Sequence, residues 1–226
     1  MTKAIIFDSS TLISFVMNGL FPELRELKKI FGGHFIITRE VKEEIIDKPI
    51  TIKRFAFEAL RANQLILDGI IEFPSVFGIK DEDISKKTKE VFDLANETFS
   101  GKKKSIHLID LGECSVLALS ELLNQKNIPN ILAVDERTTR SLIEDPEGLR
   151  RFLEKRLHTI ITPRKQNYKF FGQFKIIRSS ELIYIGYKKN ILRINTPNAL
   201  DAIFWALKFR GCAISEEEIA DLENLK

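Results

Sequence analysis

Short, wholly apolar runs alternate along the chain with longer segments in which apolar residues recur every three or four positions. The runs KAIIF at residues 3–7, HFIIT at 34–38 and ILAV at 131–134 are typical of buried parallel strands, and IIEF at 70–73 is strand-like. Residues 111–124 show the strongest helical spacing. Strands that alternate with helices predict an α/β domain with a mainly parallel sheet.

Capping residues and prolines mark where further helices begin. An Asp-Pro pair at residues 145–146 predicts a helix start, and Thr-Pro pairs at 162–163 and 196–197 give the same signal. Ser215 and Glu218 have the spacing of a capping box, which predicts a last helix. Further helices are predicted at residues 11–19, 39–47, 50–67, 81–99 and 135–144, with a loop at 101–105.

No flexible linker divides the chain. Residues 1–160 contain the strand–helix alternation and are predicted to form the main domain. Residues 161–226 are predicted to be a C-terminal elaboration packed on the same domain, although the pattern at 160–195 mixes strand-like and helical pieces and does not resolve them. A chain of 226 residues suits one large domain with an appendage.

The composition is that of a soluble globular protein, with 44% hydrophobic and 30% charged residues. No apolar stretch approaches the about 18 residues that a membrane span needs, and the first apolar run is too short for a secretory signal. We therefore expect a cytoplasmic protein with no membrane partner. The two cysteines, Cys114 and Cys212, lie in apolar helical contexts and are predicted to be core residues rather than a disulfide or a zinc site.

Positive charge is concentrated in one part of the chain. Twelve Lys and Arg residues lie between Arg150 and Arg193, against two glutamates, which gives this segment a charge of +10 when the whole chain carries +3. Aromatic residues are interleaved with the basic ones at 163–193, a composition that binds a nucleic-acid backbone and stacks unpaired bases. The alternative is that the phenylalanines are core residues and the lysines are solvated.

Two acidic residues directly follow predicted strands. Asp8 follows AIIF and Asp135 follows ILAV, and ligands of open α/β sheets gather at the carboxyl ends of the strands. Each aspartate alone is explained by a helix N-cap, in which the carboxylate accepts a backbone N–H. Two of them at the same edge of one sheet favour a functional site.

Two glutamates on helices are candidates to join the aspartates. Glu44 lies along the edge of its helix's apolar face, whereas Glu43 is expected to face solvent. Glu113 stands at the start of an almost wholly apolar helix. The alternatives are a solvated charge for Glu44 and a first-turn acid that complements the helix dipole for Glu113.

Four converging carboxylates require protons or a cation, because two of them about 5 Å apart repel by roughly 3 kcal/mol. Carboxylate oxygens with water suit Mg²⁺ or Mn²⁺. Such an ion lowers the pKa of bound water and neutralises charge on a phosphodiester, which indicates hydrolysis of a nucleic-acid backbone.

Four motifs in this order resemble those of the PIN domain, a fold of metal-dependent ribonucleases. FDSSTLISF at residues 7–15 resembles its first strand and turn, and VKEEI at 41–45 its V-x-x-E-[IL] helix. LGECSVLALS at 111–120 resembles its G-E-x-x-x-[ILV]-A-L element, and VDERTTR at 134–140 its D-[DE]-x-x-x-R element. The resemblance covers roughly residues 3–145 and implies three α/β/α layers around a mainly parallel sheet.

The resemblance also implies an activity, a divalent-metal-dependent endoribonuclease that hydrolyses RNA phosphodiester bonds. Asp8, Glu44, Glu113 and Asp135 would be the catalytic residues and the ligands of Mg²⁺ or Mn²⁺. The substrate would be RNA, with single-stranded RNA favoured. Proteins of this family often act as toxins paired with an antitoxin or as RNA-processing factors, and many are homodimers, although this chain is longer than a minimal toxin.

Further residues are candidates for substrate binding or for an additional acid. Arg137 and Arg140 are candidates because a guanidinium group binds phosphate oxygens through two parallel hydrogen bonds. The alternative is that both arginines lie on a solvated helix face. Asp201 lies in an apolar helix and is predicted either to pair with an arginine or to stand at the edge of the metal site. The substrate-binding candidates are Ser10, Arg137, Arg140, Lys165 and Lys169.

Two other functions compete with the ribonuclease hypothesis. A non-catalytic RNA-binding or scaffold protein on the same fold would keep the basic segment and bind metal poorly. A phosphatase with Asp8 as nucleophile usually has a second aspartate two residues later, where this chain has Ser10.

Overall fold

The computed structural model describes residues 2–102, 104–194 and 196–225. In these residues the chain is a mixed α/β structure with a parallel sheet of four strands, a smaller antiparallel sheet and twelve α-helices. The strands are β1 (Ala4–Phe7), β2 (His34–Ile36), β3 (Phe99–Gly101), β4 (Lys104–Ser105), β5 (Asn130–Ala133), β6 (Ile161–Pro163) and β7 (Ile176–Ile177). The helices are α1 (Ser9–Met17), α2 (Phe21–Phe31), α3 (Arg39–Lys42), α4 (Ala56–Leu67), α5 (Asp81–Asn96), α6 (Leu111–Gln125), α7 (Arg137–Glu144), α8 (Pro146–Leu157), α9 (Tyr168–Phe171), α10 (Ser179–Lys188), α11 (Ala199–Phe209) and α12 (Glu216–Asn224).

The parallel sheet has the strand order β2-β1-β5-β7. Ile5 of β1 lies opposite Phe35 on one side and Ile131 on the other. All four residues of β1 are buried, as expected for an inner strand covered on both faces. The parallel orientation places the carboxyl ends of all four strands at one edge, which is the edge where sites form in such sheets.

The core runs continuously from this sheet into the helices that cover it. Phe7 and Phe35 meet with ring centroids 5.0 Å apart, and both side chains are fully buried. Helix α6 is apolar almost all round and is buried along nine of its fifteen residues, so it is an internal helix. It is therefore a rigid support for the glutamate at its first turn.

Most of the predicted elements are present with small shifts in their ends. The helix predicted at 39–47 is α3 followed by a π turn (Glu43–Asp47), and the helix predicted at 50–67 starts only at Ala56. Pro49 opens a separate 3-10 turn (Pro49–Thr51) before it. The capping box of Ser215 and Glu218 is confirmed, since each residue's side chain accepts the other's backbone N–H.

Three local predictions are wrong. The strand predicted at 70–73 is reduced to a single bridge between Ile36 and Glu72, because Pro74 immediately opens a 3-10 turn. The Thr-Pro pair at 162–163 does not start a helix but ends β6, which pairs with β3. In the loop predicted at 101–105, Gly101 instead belongs to β3 and residues 104–105 to β4, which pairs with it, while Lys103 lies outside the described residues.

The C-terminal residues contribute directly to the parallel sheet. β7 pairs with β5, and helix α10 starts immediately after it at the same edge. Further along, the Ala213 N–H donates to the Asp135 carbonyl. Within the described residues, no helix combines the length and the apolarity that crossing a bilayer requires.

Candidate functional site

Three of the helices that begin at the carboxyl edge of the parallel sheet are each capped by the side chain of the residue before them. Asp8 caps α1, Thr38 caps α3 and Glu136 caps α7. Each cap accepts a backbone N–H that has no partner within its own helix. The same edge therefore gathers the positive ends of several helix dipoles, which favour negative charge.

Asp8 is buried with one carboxylate oxygen lacking a partner. Its Oδ2 accepts hydrogen bonds from the Ser10 backbone N–H at 3.0 Å and the Ser10 hydroxyl at 2.5 Å. Its Oδ1 is buried and makes no hydrogen bond in the described structure. Burial, with a contribution from the charge of Glu44, raises the pKa of Asp8 to about 6, while the hydrogen bonds of Ser10 and the nearby Ser9 backbone N–H act against that rise.

Glu113 faces the same region from the first turn of α6. Burial, together with the charges of Asp8, Glu44 and Glu136, raises its pKa to about 7. One of its carboxylate oxygens accepts the Asp110 backbone N–H at 3.1 Å. Asp8, Glu44 and Glu136 thus all act electrostatically on Glu113, and we call these four acids the acidic edge.

Glu44 reaches the acidic edge by lying against a glycine. A Cβ built on Gly112 would stand 2.5 Å from Glu44 Oε1 and 2.9 Å from Oε2, well inside van der Waals contact. Only the absent side chain of Gly112 therefore leaves room for the Glu44 carboxylate at the start of α6. This explains why glycine precedes Glu113 in an otherwise bulky apolar helix.

A buried chain of hydrogen bonds fixes α3 against α6. The Val41 N–H donates to the Thr38 hydroxyl at 3.3 Å, Thr38 and Ser115 hydroxyls are 2.6 Å apart, and the Ser115 hydroxyl donates to the Gly112 carbonyl at 2.6 Å. Both hydroxyl residues are fully buried. Glu44 and Glu113 lie close in sequence to the residues of this hydrogen-bond chain. The hydrogen bonds therefore set the spacing of the two glutamates.

Asp135 occupies the matching strand end but has quite different partners. Its Oδ1 accepts the Ser179 backbone N–H at 2.7 Å, and its Oδ2 accepts the hydroxyls of Ser14 and Ser179 at 2.6 Å each. The side chain is fully buried. These contacts join α1, β5 and α10, so the carboxylate holds the fold together at this edge. Its role as a metal ligand stays a prediction.

Ser10 connects the two aspartates. Its hydroxyl donates to Asp8 Oδ2 and accepts the backbone N–H of Asp135 at 3.1 Å. The hydroxyl is thus engaged within the protein on both its donor and its acceptor side. Ser10 therefore orients the Asp8 carboxylate, and direct substrate binding by Ser10 stays a prediction.

The two predicted phosphate-binding arginines differ in how far their side chains are already engaged within the protein. Arg140 donates to the Ala213 carbonyl at 2.7 Å and to Glu144 at 3.1 Å, and its side chain is largely buried. Arg137 is exposed and lies over the ring of Phe152. Arg140 therefore anchors the chain before α12, whereas Arg137 remains available to an anion near the start of α7.

The basic segment divides between core and surface. Phe171 and Phe174 are buried, so for these two rings the core alternative holds. Lys165 is exposed and pairs with Glu147 at 3.5 Å, and Lys169 is exposed. The lysines are thus on the surface, where they add positive charge.

Asp201 lies in the first turn of α11 and is half-buried. Among the residues that the structure describes, no hydrogen bond or ion pair of its carboxylate is found, so the predicted pairing with an arginine is absent there. The charges that raise the pKa of Glu113 belong to other residues. Its membership of the site stays a prediction.

The acidic edge is not a ready-made metal site. Within residues 2–102, 104–194 and 196–225, no group of three or more His, Cys, Asp and Glu side chains is arranged to hold a metal ion. The chemistry of the donors nevertheless fits a hard divalent cation, since all are carboxylates and one buried oxygen of Asp8 is unpartnered.

Glu136 is the member of the edge that sequence reasoning missed. It directly follows Asp135, accepts the Thr139 N–H at 2.7 Å and raises the pKa of Glu113 through its charge. The available signal in the sequence was the pair of adjacent acids, Asp135 and Glu136, directly after a strand. Successive side chains there point in different directions, so the two acids face different surroundings.

Comparison with known proteins gives no relative. No protein-family model, curated protein or solved structure matches the chain.

Proposed function

We propose that the protein is a divalent-metal-dependent endoribonuclease on a three-layer, PIN-like α/β/α fold. The observation that carries the proposal is the buried, unpartnered Oδ1 of Asp8, at the carboxyl edge of the sheet and within electrostatic reach of other acids. An unpaired buried carboxylate oxygen is costly, which favours a role in binding a ligand.

In this proposal Asp8, Glu44 and Glu113 would hold a Mg²⁺ or Mn²⁺ ion, with Glu136 as a nearby fourth charge. When bound, such an ion would supply activation of water and neutralisation of negative charge on the phosphodiester. Loading requires the carboxylates to lose their protons, so metal affinity rises with pH across the range in which Asp8 and Glu113 titrate.

The remaining residues of the edge keep these acids in place. Ser10 holds one oxygen of Asp8 and leaves the other open, while Gly112 admits Glu44. Asp135 joins α10 to the sheet and so stabilises the edge of the sheet at which Asp8 lies. We assign Asp135 this positioning role, with direct ligation as the alternative that the resemblance implies.

RNA is the proposed substrate because phosphodiesters carry the charge that a carboxylate-bound cation neutralises, and because exposed cations are present for the backbone. Arg137 and Lys169 are exposed, and so are Lys175, Lys188 and Lys189. An antitoxin, a processing partner and a homodimer stay predictions from the family resemblance.

The test is cleavage of a labelled single-stranded RNA with Mn²⁺, Mg²⁺ or EDTA. We expect metal-dependent cutting by the wild type and a loss of about 100-fold or more in Asp8→Asn and Glu44→Gln. Glu43→Gln is the matched control, since Glu43 is one residue away and pairs with Arg39 at the surface. Equal activity in Glu44→Gln and Glu43→Gln would contradict the proposed ligand set.

The non-catalytic alternative makes a different prediction for the same proteins. A binding protein would hold the RNA equally in Mn²⁺ and EDTA and would leave it intact. Calorimetric titration with Mn²⁺ then decides whether the acidic edge binds the ion, because heat that Asp8→Asn abolishes comes from this site.

A further inference from the structure

An apolar groove of about 380 Å³ opens directly beside the acidic edge. Its walls come from α1, the π turn and α4, with Val16, Met17, Ile45 and Ala59 among the apolar side chains. Glu44 lines the groove as well as belonging to the acidic edge. The groove is therefore continuous with the proposed place of cleavage.

An aromatic ring and one cation line the groove, and a second cation lies beside the ring. Phe55 lines the groove and is about one-third exposed, and the Arg54 guanidinium lies 5.4 Å from the centre of that ring. Arg210 lines the groove as an exposed residue. Neither arginine forms an ion pair within the residues that the structure describes.

We infer that this groove, the Phe55 groove, receives one unpaired base of an RNA strand whose neighbouring phosphate lies at the acidic edge. The inference rests on the proposed function and specifies its substrate as single-stranded at that position. An aromatic ring beside cations is the combination on which unpaired bases stack while phosphates remain in solvent.

The composition of the groove favours a base over other occupants. Most of its lining residues are apolar, which suits the faces of a flat ring, and its volume is within the range of small-molecule pockets. Glu58 lines it and supplies a hydrogen-bond acceptor for an exocyclic amino group, which adenine, cytosine and guanine carry. An apolar side chain of a protein partner would leave Arg54 and Arg210 unused.

The experiment combines an abasic substitution in the RNA with Phe55→Ala in the protein. A single abasic nucleotide is moved stepwise past the cleaved bond, and kcat/KM is measured with Mn²⁺. We expect kcat/KM to fall roughly 5- to 100-fold when the abasic nucleotide stands at one position next to the cleaved bond, which is the range for the loss of one stacked base. Phe55→Ala loses a similar factor on intact RNA and is insensitive to the abasic change, because both remove the same contact.

Phe57→Ala is the matched control, since Phe57 is two residues away, about two-thirds exposed and outside the groove lining. We expect it to cleave intact and abasic RNA as the wild type does. Additive effects of Phe55→Ala and the abasic change, or no abasic effect at any position, would overturn the inference. A dimer that Phe55→Ala dissociates without any change in RNA cleavage would also overturn it.

Failure of the nuclease proposal is distinguished by binding in EDTA. If no RNA is cut, the fluorescence anisotropy of the same oligonucleotides is measured with the wild type and both variants. Non-additive losses from Phe55→Ala and the abasic change would then support the groove without catalysis. Absence of RNA binding by the wild type would reject both proposals together.

Discussion

Two aspartates end neighbouring parallel strands at the same edge of the sheet, and their surroundings are opposite. Asp8 and Asp135 are both almost completely buried. Asp135 accepts three hydrogen bonds spread over both oxygens, from Ser14 and Ser179. Asp8 accepts two, both from Ser10 on one oxygen, and the other oxygen has no donor.

The hydrogen-bond donors around each carboxylate separate one that joins segments of the fold from one that keeps an oxygen open to a ligand. A buried charge that is fully hydrogen-bonded holds distant segments together, and here it joins residues 14, 135 and 179. A buried charge with an open oxygen destabilises the fold, and such exceptions to local consistency concentrate at functional sites. Position at a strand end is common to both aspartates, so the donors around each one decide its role.

The largest effect we expect on stability comes from removing Asp135. Asp135→Ala leaves three buried donors without their acceptor, which costs about 3 kcal/mol or more in the free energy of unfolding. Asp8→Ala loses a helix cap, worth about 1 kcal/mol, but also removes an unfavourable buried charge. Urea unfolding in EDTA at neutral pH measures both, and equal losses would erase the distinction between the two sites.

The second effect is a dependence of stability on pH that belongs to Asp8. Its pKa is raised from 3.8 to about 6 by burial, so between these values the folded protein binds more protons than the unfolded chain. The free energy of unfolding therefore falls as pH rises through this window, by about 2–3 kcal/mol for Asp8. Glu113, raised from 4.5 to about 7, extends the fall toward neutral pH.

Asp8→Asn isolates that effect, because asparagine caps a helix about as well as aspartate and does not ionise. In EDTA we expect the variant to match the wild type near pH 4 and to be more stable by about 2–3 kcal/mol at pH 7. Paired carboxylates elsewhere, such as Asp68, titrate in both proteins and cancel in the difference. A constant difference across this range would show that Asp8 is not the group responsible.

The third effect is a change in metal binding at the acidic edge with little change in the stability of the fold. Gly112→Ala places a methyl group where the Glu44 carboxylate lies, and the flexible end of Glu44 has to turn away. Alanine is otherwise favoured over glycine in a helix by about 1 kcal/mol, so the stability change stays small. We expect Mn²⁺ affinity to fall about 10- to 100-fold, the range for lost positioning of a metal ligand.

Calorimetric Mn²⁺ titration checks this prediction, with Gly172→Ala as the control. The nearest contact of a Cβ at Gly172 is a backbone oxygen at 3.4 Å, and Gly172 follows α9 in the C-terminal part of the chain. Unchanged Mn²⁺ affinity in Gly112→Ala would remove Glu44 from the proposed ligand set while leaving Asp8 untouched.

The sequence pattern predicted the strands that carry the site and the two aspartates that end them, because burial and capping are local properties. It did not predict the partners, which lie far along the chain. Ser179 reaches Asp135 across 44 residues, and Ser115 meets Thr38 across 77. Strand β7 has two residues, too few for a periodicity, so the sheet's fourth strand could not be recognised inside the basic segment.

The smallest effect compares two serines, each with a hydroxyl that donates to one of the aspartates. Ser14→Ala removes one of three donors from Asp135, and Ser10→Ala removes one of two from Asp8. Each loss is expected to cost about 1–2 kcal/mol at neutral pH, so stability at a single pH does not distinguish them. The pH dependence does, because the Ser10 hydrogen bonds hold down the pKa of Asp8.

Ser10→Ala therefore raises the pKa of Asp8 above its value in the wild type, and the pH at which stability falls moves upward. Ser14→Ala leaves that pH unchanged, since Ser14 donates to Asp135 alone. Unfolding of both variants in EDTA across the acid-to-neutral range measures the shift. A shift of equal size in the two variants would show that the effect does not depend on a hydroxyl that donates to Asp8, and the division of this edge into a structural and a functional carboxylate would then be wrong.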